Sequence, residues 1–203
     1  MTTPGEFHAA EGVEDWRSLY HLVSAHFPTG SLAEGVAFAD AIARLADAAD
    51  LMIDLRTAGV TVSLTRRDFA LARRISAAAA TLGLVADPSA VQVVIVTLDA
   101  LAGPEVLPFW RAVLNYGQIG DEYVYDPRRR GPGLALQQMS EPREQRNRIH
   151  LDIAVPHDQA EARVAAALAA GGRLVSDEHA PKWWILADPE GNEACVATWL
   201  GRE

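Results

Sequence analysis

The sequence predicts an α+β protein: a small unit with an antiparallel sheet and helices on one face of it, followed by a pair of βαβββ modules forming a cupped sheet. Three observations carry this. Residues 91–99, Val-Gln-Val-Val-Ile-Val-Thr-Leu-Asp, and residues 149–157, Ile-His-Leu-Asp-Ile-Ala-Val-Pro-His, each read as an apolar strand running into a helix, and internal self-similarity points to a repeated structural unit. Each copy then reaches an Asp-Pro turn, Asp126-Pro127 or Asp188-Pro189, ahead of a closing strand over 134–139 or 193–199. Finally, Ala86-Asp87-Pro88-Ser89 interrupts the pattern before the first copy, as proline and polar residues do at a boundary. The expected domains are therefore 1–86 and 90–203, the second made of modules 90–140 and 148–200. Pairing two such modules leaves a cleft between them, in which Gln92 and His150 are expected to face each other.

In the first domain, 19–27 reads as an edge strand ended by Pro28-Thr29-Gly30. Ser31 and Glu34 have the spacing of a capping box, in which the hydroxyl accepts an orphan amide and the carboxylate reaches back. They predict a helix over 32–47 with Val36, Ala39, Ala43 and Ala46 on its apolar side. Strands at 53–56 and 60–64, joined by Thr57-Ala58-Gly59, predict an antiparallel hairpin. Thr65 and Asp68 suggest a second capping box, opening a helix whose inner side is Phe69, Ala72, Ile75, Ala79 and Leu82 and which Gly83 stops. In the second domain, Phe109 and Trp110 lie on the helix of the first module with Tyr116 just past it. The alanine-rich helix 158–170 of the second module ends at Gly171-Gly172.

Composition excludes several function classes. The chain has 203 residues, 49% of them apolar, and a net charge of -9, which disfavours a nucleic-acid partner because phosphate binding needs a concentrated cationic face. Its one basic run, Arg128-Arg129-Arg130, reads as a solvated turn. A lone cysteine, Cys195, makes no internal disulfide, which fits a reducing, cytoplasmic setting. The first twenty residues carry Glu6, Glu11, Glu14 and Asp15 without an apolar run, unlike a signal peptide. No stretch approaches the roughly 20 apolar residues of a membrane span, so no membrane partner is expected.

The residues from Trp16 to Leu84, most clearly 60–75, Val-Thr-Val-Ser-Leu-Thr-Arg-Arg-Asp-Phe-Ala-Leu-Ala-Arg-Arg-Ile, resemble a pterin-4a-carbinolamine dehydratase domain. Residues 90–199, with Arg148-Ile-His-Leu-Asp152 and Asp188-Pro-Glu-Gly-Asn192 as the specific strings, resemble the glyoxalase/bleomycin-resistance, or vicinal oxygen chelate, superfamily. The first resemblance implies a dehydratase using a His-His-Pro segment and a further histidine as general acids and bases, a task that suits imidazole because its pKa lies near the working pH. Here the matching positions are Ala49, Asp50 and Leu51, and the chain passes from Leu64 directly to Thr65-Arg66-Arg67. The first domain is thus expected to be catalytically degenerate. It is also expected to serve as a self-association surface, giving a homodimer.

The second resemblance implies a metal held by residues on the opening and closing strands of both modules. Here those strands offer Gln92 and His150, then Gln137 and Cys195, with Glu193 on the same strand face as Cys195. Two amides, an imidazole and a thiol match hard, oxygen-seeking metals poorly, so the expectation is a site without metal. If a divalent metal is bound, Gln92 and His150 are its first ligands. The remaining residues suit a flat organic molecule: Trp110 and Tyr116 as aromatic walls, one of Trp183 and Trp184 facing inward because adjacent strand residues alternate, and Gln92, Gln137, His150 and Asp152 as polar contacts. Parity places His150 and Asp152 on one face, where Asp152 can orient the imidazole for acid–base work. Two function classes follow: a binding protein for an aromatic or heterocyclic small molecule, or an enzyme, either a lyase or dioxygenase of glyoxalase-like type or a residual pterin dehydratase.

Overall fold

The computed structural model describes residues 3–19, 21–45, 50–141, 150–155, 157–198 and 200. Ala46, Ala49, Trp199 and the Arg148-Ile149 pair of the sequence analysis lie outside them. The chain divides into two compact units, Met1–Val93 and Val94–Glu203, in an α+β arrangement of three four-stranded sheets among the described residues.

The first unit runs α1 (Pro4–His8), β1 (Arg17–Leu19), β2 (Leu22–Pro28), α2 (Leu32–Leu45), β3 (Leu51–Arg56), β4 (Gly59–Leu64) and α3 (Phe69–Thr81). Its sheet is antiparallel in the order β1-β2-β4-β3. The predicted edge strand 19–27 is instead a hairpin: β1 is the edge and β2 lies inside the sheet. Alternation explains the core. Val23, Ala25 and Phe27 on β2 register with Leu64, Val62 and Val60 on β4, giving one apolar face that packs with Phe38, Ile42, Ala72 and Ile75. Phe7, Val13 and Trp16 join the same core, so the acidic N-terminal stretch is anchored by its three large apolar residues.

Four local predictions for this unit need correction. The buried side of α2 is Gly35, Phe38 and Ile42, one position away from the predicted stripe, and Val36 is 51% exposed. Phe and Ile bury far more apolar area than alanine and so choose the face. Gly35 fits because a Cβ there would stand 2.5 Å from Leu55 Cδ1. Ser31 does accept from Glu34 N, but the Glu34 carboxylate accepts from Gly30 N rather than from Ser31. At α3 the cap is Asp68 itself, accepting from Leu71 N, while Thr65 Oγ1 donates to Asp50. Leu82 is the exposed cap residue at the other end, and Gly83, at φ +71°, closes the helix with Gly83 N bonded to Ala80 O and Leu84 N to Ala79 O.

The second unit repeats one topology. Module one is β5 (Ile95–Ala100), α4 (Gly103–Leu114), β6 (Gly117–Ile119), β7 (Tyr123–Tyr125) and β8 (Gly133–Gln138). Module two is β9 (Leu151–Ala154), α5 (Ala160–Ala169), β10 (Arg173–Ser176), β11 (Trp183–Ala187) and β12 (Glu193–Ala197). The sheet orders β5-β8-β7-β6 and β9-β12-β11-β10 are the same, with a parallel first pair and antiparallel remainder. Helices α4 and α5 pack on each other, and both sheets turn an apolar face into one core that includes Leu134, Leu136, Leu186, Ala194 and Val196. The predicted helix 158–170 begins with a 3-10 turn, His157–Gln159.

Asp188 ties the modules together. It is fully buried, accepts from Trp110 Nε1 at 2.9 Å, and also receives the backbone amides of Glu190 and Asn192 and the Asn192 side-chain amide. Glu190, on the same turn, accepts from the backbone amides of Leu101 and Ala102 just ahead of α4. Helix α4 has no side-chain cap from its own N-cap residue, Ala102, so module two supplies a carboxylate where the helix leaves unpaired N–H groups.

Candidate functional site

Strand register decides which predicted site residues can act together. On the module-two sheet, Leu151, Ile153, Trp184, Leu186, Ala194 and Val196 share the face packed into the core. The opposite face therefore carries Trp183, Ile185, Glu193, Cys195 and Asp152, with Ile185, Cys195 and Asp152 as direct neighbours across β11, β12 and β9. Of the two adjacent tryptophans, Trp184 is core and Trp183 belongs to this second face, as alternation requires.

At one end of that face His150, Asp152 and Cys195 converge, their donor atoms all within 4.8 Å of one another. His150 Nε2 lies 3.5 Å from Asp152 Oδ1, with side chains 55% and 67% exposed, so both groups are open to solvent and to a ligand. The thiol is held protonated: burial pushes its pKa up to about 11, helped by a hydrogen bond to Asp152 and by the charges of Asp152 and Glu193. At the other end the His179 ring lies 4.4 Å from the Trp183 ring, and Lys182 Nζ sits 5.4 Å from the Trp183 ring centroid.

The other predicted residues go elsewhere. Trp110 is buried in the core and its N–H is taken by Asp188, so it makes no wall for a ligand. Tyr116 packs against the same core with its hydroxyl close to Gly131, and burial, then Asp126 and Tyr123, raise its pKa. Gln137 is exposed on β8, in register with Asp99. Gln92 is exposed and precedes β5, inside the first unit rather than on the opening strand.

On β8, Ala135 and Gln137 both lie on the face opposite the core residues Leu134 and Leu136, as Cys195 does on β12, and their parallel neighbours on β5 are Thr97 and Asp99. The three donors of module two form a nitrogen, oxygen and sulfur set, which suits a borderline ion of the zinc type better than a hard one.

In the first unit, the two adjacent positions at which the resemblance calls for histidines hold Ala49, which lies outside the described residues, and Asp50. The Asp50 carboxylate accepts from Thr65 Oγ1 at 2.8 Å and pairs with Arg66 Nε at 2.7 Å. It is committed to joining the start of β3 to the end of β4. Two site residues escaped the sequence analysis, Ile185 and Lys182. Parity from Trp183 was the available signal for Ile185; nothing local marks Lys182.

Residues 95–197 match the glyoxalase-like domain family model. No curated protein matches the chain significantly. Similar solved structures include a glyoxalase-related enzyme from Fulvimarina pelagi, 19% identical over 53% of this chain and 87% of that one with a TM-score of 0.43. A glyoxalase/bleomycin resistance protein/dioxygenase family enzyme from Burkholderia phytofirmans PsJN is 17% identical over 52% and 97%, TM-score 0.42. A fosfomycin resistance protein from Mesorhizobium loti is 9% identical over 52% and 89%, TM-score 0.41. With the βαβββ unit repeated and a family match spanning both copies, the chain belongs to the glyoxalase-like domain family.

Proposed function

We propose that this protein binds an aromatic or heterocyclic small molecule on the face of the β9–β12 sheet that turns away from the helices. The observation that carries this is the register that sets Trp183, Ile185, Cys195 and Asp152 side by side on that face, with His150 beside Asp152. An aromatic ring, an apolar strip and a few polar groups at one end are the ordinary composition of a small-molecule site. In this reading Trp183 and Ile185 receive the flat body of the ligand, and His150 and Asp152 receive its polar edge. A thermal-shift screen over pterins, flavins and aromatic natural products tests it, because a ligand that prefers the native state raises Tm. Hits that lose their shift in both Trp183→Ala and His150→Ala support the site; hits indifferent to both place binding elsewhere and defeat the proposal.

The convergence of three donors favours a second reading, in which His150, Asp152 and Cys195 hold a divalent metal. Such an ion supplies Lewis-acid polarisation of a ligand oxygen. Binding has to displace the thiol proton, since the thiolate is the ligand form. Zinc titration of the purified protein is then expected to release protons and to lose that release in Cys195→Ala. For the first unit we propose a degenerate pterin dehydratase relative that now serves self-association. Its support is the four-stranded antiparallel sheet with α2 and α3 packed against it, and Asp50 engaged by Thr65 and Arg66. Light scattering that gives a monomer mass contradicts the association.

A further inference from the structure

On the reading that the β9–β12 face is the ligand site, we propose that its ligand is an organic cation with its charge spread over a flat ring, and that Lys182 keeps its place in the free protein. Two separate features of the face select positive charge. The first is Trp183, whose ring already has an ammonium 5.4 Å from its centroid, that of Lys182. An indole face attracts cations through its quadrupole and is the best of the natural rings at doing so. Lys182 is adjacent in sequence and its main chain is fixed independently: its N–H donates to His179 O and its carbonyl accepts from Thr198 N. Its side chain can therefore leave the ring without disturbing the loop.

The second feature is Asp152. It is the charged member of the row Ile185, Cys195, Asp152 that runs across the sheet from β11 to β9. Its carboxylate is 67% exposed, so a ligand can reach it directly. Trp183 and Asp152 lie on the same face, two strands apart in one direction and two residues apart in the other, on the order of 10 Å at ordinary strand spacings. A bicyclic cation spans that gap over Ile185 and Cys195 and meets the indole with one edge and the carboxylate with the other. Neutral rings gain only the first contact. Anionic ones also meet Asp152 as a like charge.

Three probes that share one ring system test this at pH 7.5: 1-methylquinolinium as the cation, quinoline as the neutral form and quinoline-6-carboxylate as the anion. Binding to the full chain is measured by calorimetry. The cation is expected to bind about fivefold or more tightly than quinoline, with the anion weakest, in line with the size of cation–π and exposed ion-pair contributions. Asp152→Asn is expected to bring cation and neutral ring to within about twofold. Lys182→Met should tighten the cation about two- to fivefold by vacating the indole and removing a like charge, and tighten quinoline by less. Thermal melts of each variant confirm that the fold is intact. Equal affinity for cation and neutral ring, or a Lys182→Met variant that weakens the cation, overturns the inference while binding that depends on Trp183 leaves the aromatic site standing. No binding by any of the three, or binding unaffected by Trp183→Ala, removes the site and the inference together.

Discussion

Asp152 and Cys195 are neighbours on the parallel pair β9 and β12, and each sets the state of the other. Burial first, and then the Asp152 hydrogen bond and charge, raise the thiol from its ordinary value of 9.0 to about 11. A carboxylate disfavours a nearby thiolate, so its removal lowers the thiol pKa. Asp152→Asn is therefore expected to react faster with iodoacetamide at pH 8 than the parent, because the thiolate is the nucleophile. Equal rates across the pH range show that burial alone governs the thiol. The same shift bears on stability. A group whose folded pKa is raised holds its proton longer when folded, so its stabilisation is complete below pH 9 and is lost as pH climbs from 9 to about 11. Cys195→Ala should flatten the part of the alkaline stability loss that falls in this window, read from urea midpoints at each pH.

At the scale of elements, what a helix buries follows its largest apolar residues, and α2 is the test. Phe38→Ala is expected to cost about 3–5 kcal/mol, the usual range for emptying a buried aromatic site. Val36→Ser, on the side the alanine pattern favoured, should change stability by less than about 0.5 kcal/mol. Reversed magnitudes in urea melts reject the face described here. The Asp188 turn is the second test. Asp188→Ala strands the buried indole N–H and two backbone amides, so a loss of about 3 kcal/mol or more is expected. Glu190→Ala removes a cap contributed across modules and should cost about 1 kcal/mol. These elements also show what was legible in the sequence. The repeat, the hairpin of β3 and β4, the helix stop at Gly83 and the opposite facing of the two adjacent tryptophans all follow from local spacing, and the structure has them. What escaped is non-local. The parallel pairing of β9 with β12 joins strands that are not consecutive, and only that register sets Asp152 beside Cys195. Trp110 is a core residue rather than a wall, and the partner that holds it there, Asp188, lies 78 residues away.

For the whole molecule, the two cores share no residue among those described. One is assembled from Phe7, Trp16, Phe27, Phe38, Ile42 and Ile75 and their neighbours before the boundary at Val94, the other from residues after it such as Phe109, Trp110, Leu134 and Leu186. Each unit buries its own large side chains, and burial of apolar area is the main favourable contribution to folding. Among the described residues each core is built within its own unit, so unfolding is expected to depart from a single two-state transition. The parent melts need not be resolved if the two units have similar stability. Selective damage separates them: Phe38→Ala should move one calorimetric transition down by roughly 10 °C or more and leave the second at its parent temperature. Leu186→Ala should do the opposite, acting on the unit that carries His150, Asp152 and Cys195. A probe bound on the β9–β12 face then becomes a reporter, since it stabilises only the unit that holds it. It should raise the transition that Leu186→Ala lowers and spare the one that Phe38→Ala lowers. If either substitution shifts the entire melt as one cooperative step, the two units fold as a single body, and the independence drawn from their separate cores is wrong.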